Sequence, residues 1–194
     1  FFDVEEGSVT FDGIDVRELA LADLRSRIGI VPQEPMLFGG TVRENLVYGN
    51  LDASQAEIEE VARAAHAAEF IATFPDGYDQ VVGERGVTLS AGQRQRIAIA
   101  RVMLERPNVL ILDEASSSLD SESEALVQDA LERLMRGRTT LVIAHRLSTV
   151  IRSDRILVLD QGRIVDEGSH PELLGRSEVY GRLYRPQTHE PALP

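Results

Sequence analysis

The chain predicts an α/β fold, a core of parallel strands and helices interrupted by a helical region over about residues 41–105. Three observations predict it. The apolar runs Ile28–Val31, Val109–Leu112 and Thr139–Ala144 are short and read as strands buried on both faces, the pattern of a parallel sheet. Between the first two runs lies a stretch with repeated helix-start signals and no long strand. Near each end of the chain sits a hairpin signal, two short apolar segments joined by Asp-Gly or Gln-Gly.

Composition bounds what such a domain does. With 194 residues, 43% hydrophobic and 27% charged, the chain suffices for one domain with a real core, expected over residues 1–185. No apolar run approaches the roughly 20 residues that span a bilayer, and no signal or transit pattern is present. Zero cysteines exclude disulfides and thiolate metal sites and agree with a reducing compartment. A net charge of −12 argues against nucleic acid as a partner held by bulk charge. All 20 basic residues are Arg, so a Gly-x-x-x-x-Gly-Lys-Ser/Thr phosphate loop does not occur in the chain.

The elements follow in order. Val9-Thr10-Phe11, Asp12-Gly13 and Ile14-Asp15-Val16 predict a hairpin with a tight turn. A helical turn is expected around Leu21–Arg25. The strand Ile28–Val31 ends at Pro32, and Gln33 stands just past it, alone no more than a polar loop residue. Met36-Leu37-Phe38 is an apolar patch, read equally well as core or as a groove for another protein's helix. Thr41 with Glu44, and Ser54 with Glu57, are capping boxes that open helices. The second helix presents Ile58, Val61, Ala65 and Ala68 on one face, with His66 inside it as a structural or surface residue, and Pro75-Asp76-Gly77 ends the run.

Leu89-Ser90-Ala91-Gly92-Gln93 carries a third capping box, Ser90 with Gln93, ahead of Ile97, Ala100 and Leu104 at helical spacing; Pro107 stops that helix. Gly92 in the first turn is read as leaving backbone N–H groups bare, and a bare helix N-terminus favours an anion. The strand Val109–Leu112 then runs into Asp113-Glu114. Ligands of open α/β sheets collect at strand carboxyl ends. There Asp113 suits Mg²⁺, and Glu114 suits polarising a water.

Ser121 with Glu124 is expected to cap the next helix, with Val127, Ala130, Leu131 and Leu134 inward and Gly137 at its end. His145 follows the strand Thr139–Ala144. Arg155–Asp160 and Arg163-Ile164-Val165 predict a second hairpin across Gln161-Gly162. Ser169, Pro171 and Glu172 open a short helix beside a surface His170, Tyr180–Tyr184 adds a helical turn, and the Pro-rich residues 186–194 read as a disordered tail.

Taken together, these residues resemble a family. Leu89–Gln93 resembles the signature motif of ABC proteins, Val109–Glu114 their Walker B strand, and Ser117-Ser118-Leu119-Asp120 their D-loop. Glu34–Phe38, Gly40–Leu46 and Gly83-Glu84-Arg85-Gly86 resemble exporter sequences, so the chain is similar to the nucleotide-binding domain of an ABC exporter over nearly its whole length. The resemblance implies a P-loop NTPase-like parallel sheet with an inserted helical subdomain, and ATP hydrolysis coupled to transmembrane transport at the cytoplasmic face of the membrane. It implies Glu114 as base, His145 at the γ-phosphate, Gln33 at the metal and attacking water, and Asp113 at Mg²⁺. Ser90, Ala91, Gly92 and Gln93 would meet the ATP of a second, head-to-tail domain, and Asp120 would act across that interface. A transmembrane domain would dock through the Gln33 region and Gly83–Gly86.

The signature departs from the usual two glycines at Ala91, which as the first helical residue needs no positive φ. In the family the phosphate loop lies upstream of the point matching Phe1. The chain is therefore expected to lack the first βα unit, roughly 30 residues or more by the size of such units, and to be inactive by itself. Two other readings compete: a non-hydrolytic partner donating its signature in trans, and a soluble ABC ATPase acting on DNA or ribosomes.

Overall fold

The computed structural model describes residues 4–83, 87–113, 119–143 and 147–184. The chain divides into two compact units, residues 1–143 and 144–194.

The first unit opens with the expected hairpin, β1 (Thr10–Phe11) against β2 (Ile14–Asp15). Asp12 and Gly13 both take positive φ, 50° and 82°, as a twist-matched two-residue turn demands. After α1 (Leu21–Ser26) comes β3 (Ile28–Val31). The helical region then runs through α2 (Val42–Val47), α3 (Gln55–Ala64), α4 (Ala68–Ile71) and α5 (Ala91–Glu105). Its extended pieces are two residues each, β4 (Gly40–Thr41) pairing antiparallel with β5 (Val81–Val82). β6 (Val109–Asp113), α6 (Ser121–Met135) and β7 (Thr139–Ile143) complete the unit.

β3, β6 and β7 form a parallel sheet in the order β3-β6-β7. Its register sets Gly29, Leu110 and Thr140 in one row and Val31, Leu112 and Val142 in another on the inner face, with Ile30, Ile111 and Leu141 on the outer. α5 lies so close to the inner face that a Cβ on Gly29 would come within 2.6 Å of Val102 and 2.7 Å of Pro107. Val31, Leu110 and Leu112 are buried there in one core with Ile97, Val102 and Leu104 of α5 and Val127, Ala130, Leu131 and Leu134 of α6. The outer face differs from the expectation of strands buried on both sides. Ile30 is 51% exposed, Leu141 53% and Ile143 47%, and the burial of β6 alternates along its length. The apolar runs are strands, and within this chain their inner face is the more deeply buried.

Within the helical region, Val42, Leu46, Ile58, Ala62, Ala65, Ala67, Phe70 and Ile71 join the same core. His66 is not inside a helix. It adopts φ 53° in the break between α3 and α4, where its backbone turns the chain and its ring reaches Asp129 on α6.

The second unit contains α7 (Leu147–Ile151), β8 (Ile156–Asp160), β9 (Arg163–Gly168), α8 (His170–Arg176) and α9 (Glu178–Tyr184). β8 and β9 pair antiparallel across Gln161 and Gly162, both at positive φ. Val158, Leu173 and Tyr180 make its small core. His170, expected at the surface, is half-buried, with Nδ1 2.6 Å from the Tyr180 hydroxyl. The predicted tail, 186–194, lies outside the described residues.

Candidate nucleotide site

Parallel pairing brings the carboxyl ends of β3, β6 and β7 to one edge of the sheet. Val31 pairs with Leu112, so Gln33 begins just beyond the level of Asp113. Gln33 is exposed and Asp113 half-buried, on the outer-face row with Ile143. Glu114 and His145, which follow β6 and β7 in the chain, lie outside the described residues, as do Glu84, Arg85 and Gly86 of the second expected docking loop. A hard carboxylate oxygen at a strand end is the donor type that Mg²⁺ takes, one or two at a time beside phosphate and water oxygens. Among the described residues there is no cluster of three or more His, Cys, Asp or Glu that would hold an ion by protein groups alone.

The start of α5 is built as its sequence demands. Ser90 Oγ accepts from the Gln93 N–H at 3.2 Å, and Gln93 Oε1 accepts from the Ser90 N–H at 2.9 Å. Ser90 and Ala91 are exposed and Gln93 half-buried. Gly92 is buried. A Cβ there would lie 2.7 Å from Ser123 Cβ and 2.8 Å from its Oγ, so α6 abuts this residue.

The cap of α6 also differs from expectation. Asp120, not Ser121, is the N-cap, and its Oδ1 accepts from the Ser123 N–H at 2.9 Å. Two helix-start patterns overlap by one residue here, and the carboxylate takes the cap while Ser121 becomes the first helical residue. The Ser123 backbone and side chain hold the Asp120 carboxyl below the usual carboxylate range. Ser90–Gln93 and Asp120, distant in the chain, thus belong to one junction of two helix starts.

Four polar residues unmarked in the sequence hold α5 in place. Arg96 is buried, donates from Nη1 to the His66 carbonyl at 2.8 Å, and lies 5.0 Å over the Phe70 ring. Burial lowers its pKa, against the pull of Glu69, Asp120 and Glu122. Gln95 is buried and donates to the Pro32 carbonyl at 3.4 Å, against the peptide that leads into Gln33. Arg101 donates to the Asn45 carbonyl at 2.8 Å, to Asn45 Oδ1 at 3.1 Å and to the Met36 carbonyl at 3.3 Å. Its guanidinium lies over Phe38 and Tyr48, and burial lowers its pKa. Buried Asn45 completes the brace, accepting from the Phe38 N–H and donating to the Phe38 and Thr41 carbonyls. The Met36-Leu37-Phe38 patch is therefore divided: Leu37 packs on the core, Met36 is 72% exposed, and Phe38 stacks on Tyr48 at 4.4 Å. The signal available for these partners was the unbroken apolar run Ile97–Ala100. A helix buried nearly all round forces neighbouring polar side chains to find partners.

A parallel sheet with polar residues at its carboxyl edge and a large helical insertion ending in a capped, phosphate-type helix start defines a nucleotide-handling α/β domain. The family model for ABC transporters matches residues 1–117, and the chain belongs to that family as an exporter-type nucleotide-binding domain of the ABC ATPase class. It is 55% identical over 98% of its length to an ATP-dependent lipid A-core flippase of Syntrophus aciditrophicus, of which it covers 32%. It is 54% identical over its whole length to the mitochondrial potassium channel ATP-binding subunit of Mus musculus, covering 27% of that protein. Among solved structures, a bacterial Atm1-family ABC exporter with ATP bound superposes with a TM-score of 0.89 at 44% identity, over 99% of this chain and 34% of that one. The chain thus spans about a quarter to a third of the length of these relatives.

Proposed function

We propose that this domain hydrolyses ATP as one of two head-to-tail nucleotide-binding domains and couples that hydrolysis to movement of a substrate through a transmembrane domain. The junction that joins Ser90–Gln93 to Asp120 carries the reading, because it presents two capped helix starts together beside a sheet whose carboxyl edge bears Gln33 and Asp113. Asp113 would hold Mg²⁺, which when bound would supply neutralisation of phosphate charge, and Gln33 would orient the attacking water beside it. Glu114 takes the proton from that water, and His145 contacts the γ-phosphate. Ser90, Ala91, Gly92 and Gln93 face the partner domain's ATP, and Asp120 acts across the same interface. Phosphoryl transfer needs such positioning and charge neutralisation more than covalent chemistry.

The transmembrane partner docks on the Gln33 region, where Met36 and Phe38 are exposed and Arg101 fixes the backbone beneath them, and on Gly83–Gly86. No helix among the described residues is long and apolar enough to cross a membrane. The domain sits against the cytoplasmic face of the membrane through that partner. The 194 residues contain no Lys for the β- and γ-phosphates, and by themselves they bind ATP weakly without turning it over.

The test is Mg²⁺-dependent ATP hydrolysis by the protein encoded in the complete reading frame. Glu114→Gln is expected to lower kcat by a factor of about 10² or more, the usual contribution of a positioned base. Hydrolysis untouched by that change would refute the assignment. Turnover by the 194-residue chain alone would refute its inactivity.

A further inference from the structure

Gly92 and Ser123 meet where two helices start. α5 begins at Ala91 under a cap made by Ser90, and α6 begins at Ser121 under a cap made by Asp120. Between them there is room for one Cβ, and Ser123 supplies it; a second one on Gly92 would lie 2.7 Å from the first, closer than carbon atoms approach. Neither atom is the free end of a flexible side chain, so one helix start would have to move. Ser123 is also the residue whose N–H satisfies Asp120. Displacing it displaces the cap.

The neighbourhood leaves little slack. One turn along α5, Arg96 folds back, with Nε 3.3 Å from the Gly92 carbonyl and Nη1 on the His66 carbonyl. From the same break, His66 Nε2 is 2.5 Å from Asp129 Oδ2 on α6, and Asp129 also pairs with Arg133 at 2.8 Å. The two helices are therefore tied at two levels, by shape at Gly92 and Ser123 and by hydrogen bonds at His66 and Asp129.

We propose that Ser123 is a positioning residue that sets the spacing between the signature end of α5 and Asp120, and that residue 92 is glycine to receive Ser123. The two interface elements then move as one piece. This rests on the reading that both act at the nucleotide interface.

The test exchanges the Cβ between the two sides, in the protein encoded by the complete reading frame. Gly92→Ala is expected to lower kcat for ATP by about tenfold or more while KM changes less, because the lost interaction belongs to the closed, reacting state. It is also expected to lower Tm by about 4 °C or more. Adding Ser123→Gly removes the opposing Cβ and keeps the backbone N–H bond to Asp120, while the loss of the hydroxyl beside that carboxylate is measured by Ser123→Gly alone. The pair is expected to recover kcat to within about threefold of Ser123→Gly alone and to recover Tm with it, the non-additivity of residues in contact. A double variant as inactive as Gly92→Ala overturns the proposal, whether or not Tm recovers, because glycine is then required by the nucleotide side. If the unaltered protein does not hydrolyse ATP, the functional reading fails separately. The Tm cycle still decides the contact, and additive losses refute it.

Discussion

The helical region and the parallel sheet share α5, yet the two are finished differently. Helices α2 to α5 close on themselves, with Leu46, Ile71, Ile97 and Ile99 fully buried, and even their polar members Asn45, Gln95 and Arg96 are enclosed. The sheet is closed on its inner face, where Leu110 is fully buried, and open on the outer, where Leu141 in the neighbouring strand is half-exposed. The difference teaches that α5 ties the helical region and the inner sheet face into one core, on which the strands depend. It also puts Gln33 and Asp113 on a platform steadied from one side, by α5 and α6.

The largest test of that contrast sets the two sheet faces against each other. Leu110→Ala empties a site enclosed by α5 and α6, and about 2–5 kcal/mol of stability is expected to be lost. Leu141→Ala removes a side chain already half in water, and about 1 kcal/mol or less is expected. Urea unfolding of both variants checks this, and equal losses would show that the outer face is covered in solution.

Next in size is the brace between the helical region and the loop after β3. Arg101→Met keeps much of the apolar stem but strips the donors from the Asn45 carbonyl, Asn45 Oδ1 and the Met36 carbonyl. A loss of about 2–3 kcal/mol is expected, the range for hydrogen bonds to a charged group in a partly buried site. Arg101→Lys should recover less than half, because an ammonium cannot copy the planar fork or its stacking on Phe38 and Tyr48. Full recovery by Lys would mean that charge alone matters there.

What was legible in the sequence follows the same division. Local devices read correctly, because their geometry is contained in four residues. The boxes Thr41–Glu44, Ser54–Glu57 and Ser90–Gln93 all form, and both hairpin turns take the positive φ their residues allow. The inward face of α6 appears as read, at Val127, Ala130, Leu131 and Leu134. Where two local signals overlapped, at Asp120 and Ser121, the sequence offered both and the carboxylate took the cap. What was not legible spans long distances in the chain: His66 with Asp129, Arg101 with Asn45, Gln95 with Pro32, and Gly92 with Ser123. Nothing in local periodicity says which helix will lie against a glycine. The unequal burial of the two sheet faces within this chain was not legible for a related reason, since an apolar strand records what its side chains tolerate and not which layer covers them.

A smaller effect is expected at the cap of α5. Ser90→Ala removes the acceptor for the Gln93 N–H and is expected to cost about 1 kcal/mol, as helix caps generally do. Unfolding of the variant measures it, and a cost near that of Leu110→Ala would show that Ser90 does more than cap.

The smallest effect is spread over charged groups and sharpens the contrast between surface and interior. Asp15, held by Arg17, falls to about 2; Glu57, held by Ser54, Asp120, held by Ser123, and Asp129, held first by His66, are all lowered. A carboxylate lowered in the folded state contributes stability that is complete above its unfolded value, about 4, and is lost as pH falls through the folded one. Glu105 runs the other way. Burial raises it, so its ionisation weakens the fold as pH rises through the ordinary glutamate range toward its folded value. Stability should therefore fall on acidification below about pH 4, where the lowered carboxylates act together against half-buried Glu105. Glu105→Gln should raise stability at neutral pH and leave the acid limb unchanged. Thermal unfolding from pH 2 to 8 on both proteins checks it, and an acid limb that shifts with Glu105→Gln would assign the acid transition to that half-buried carboxyl instead of to the capped and paired surface.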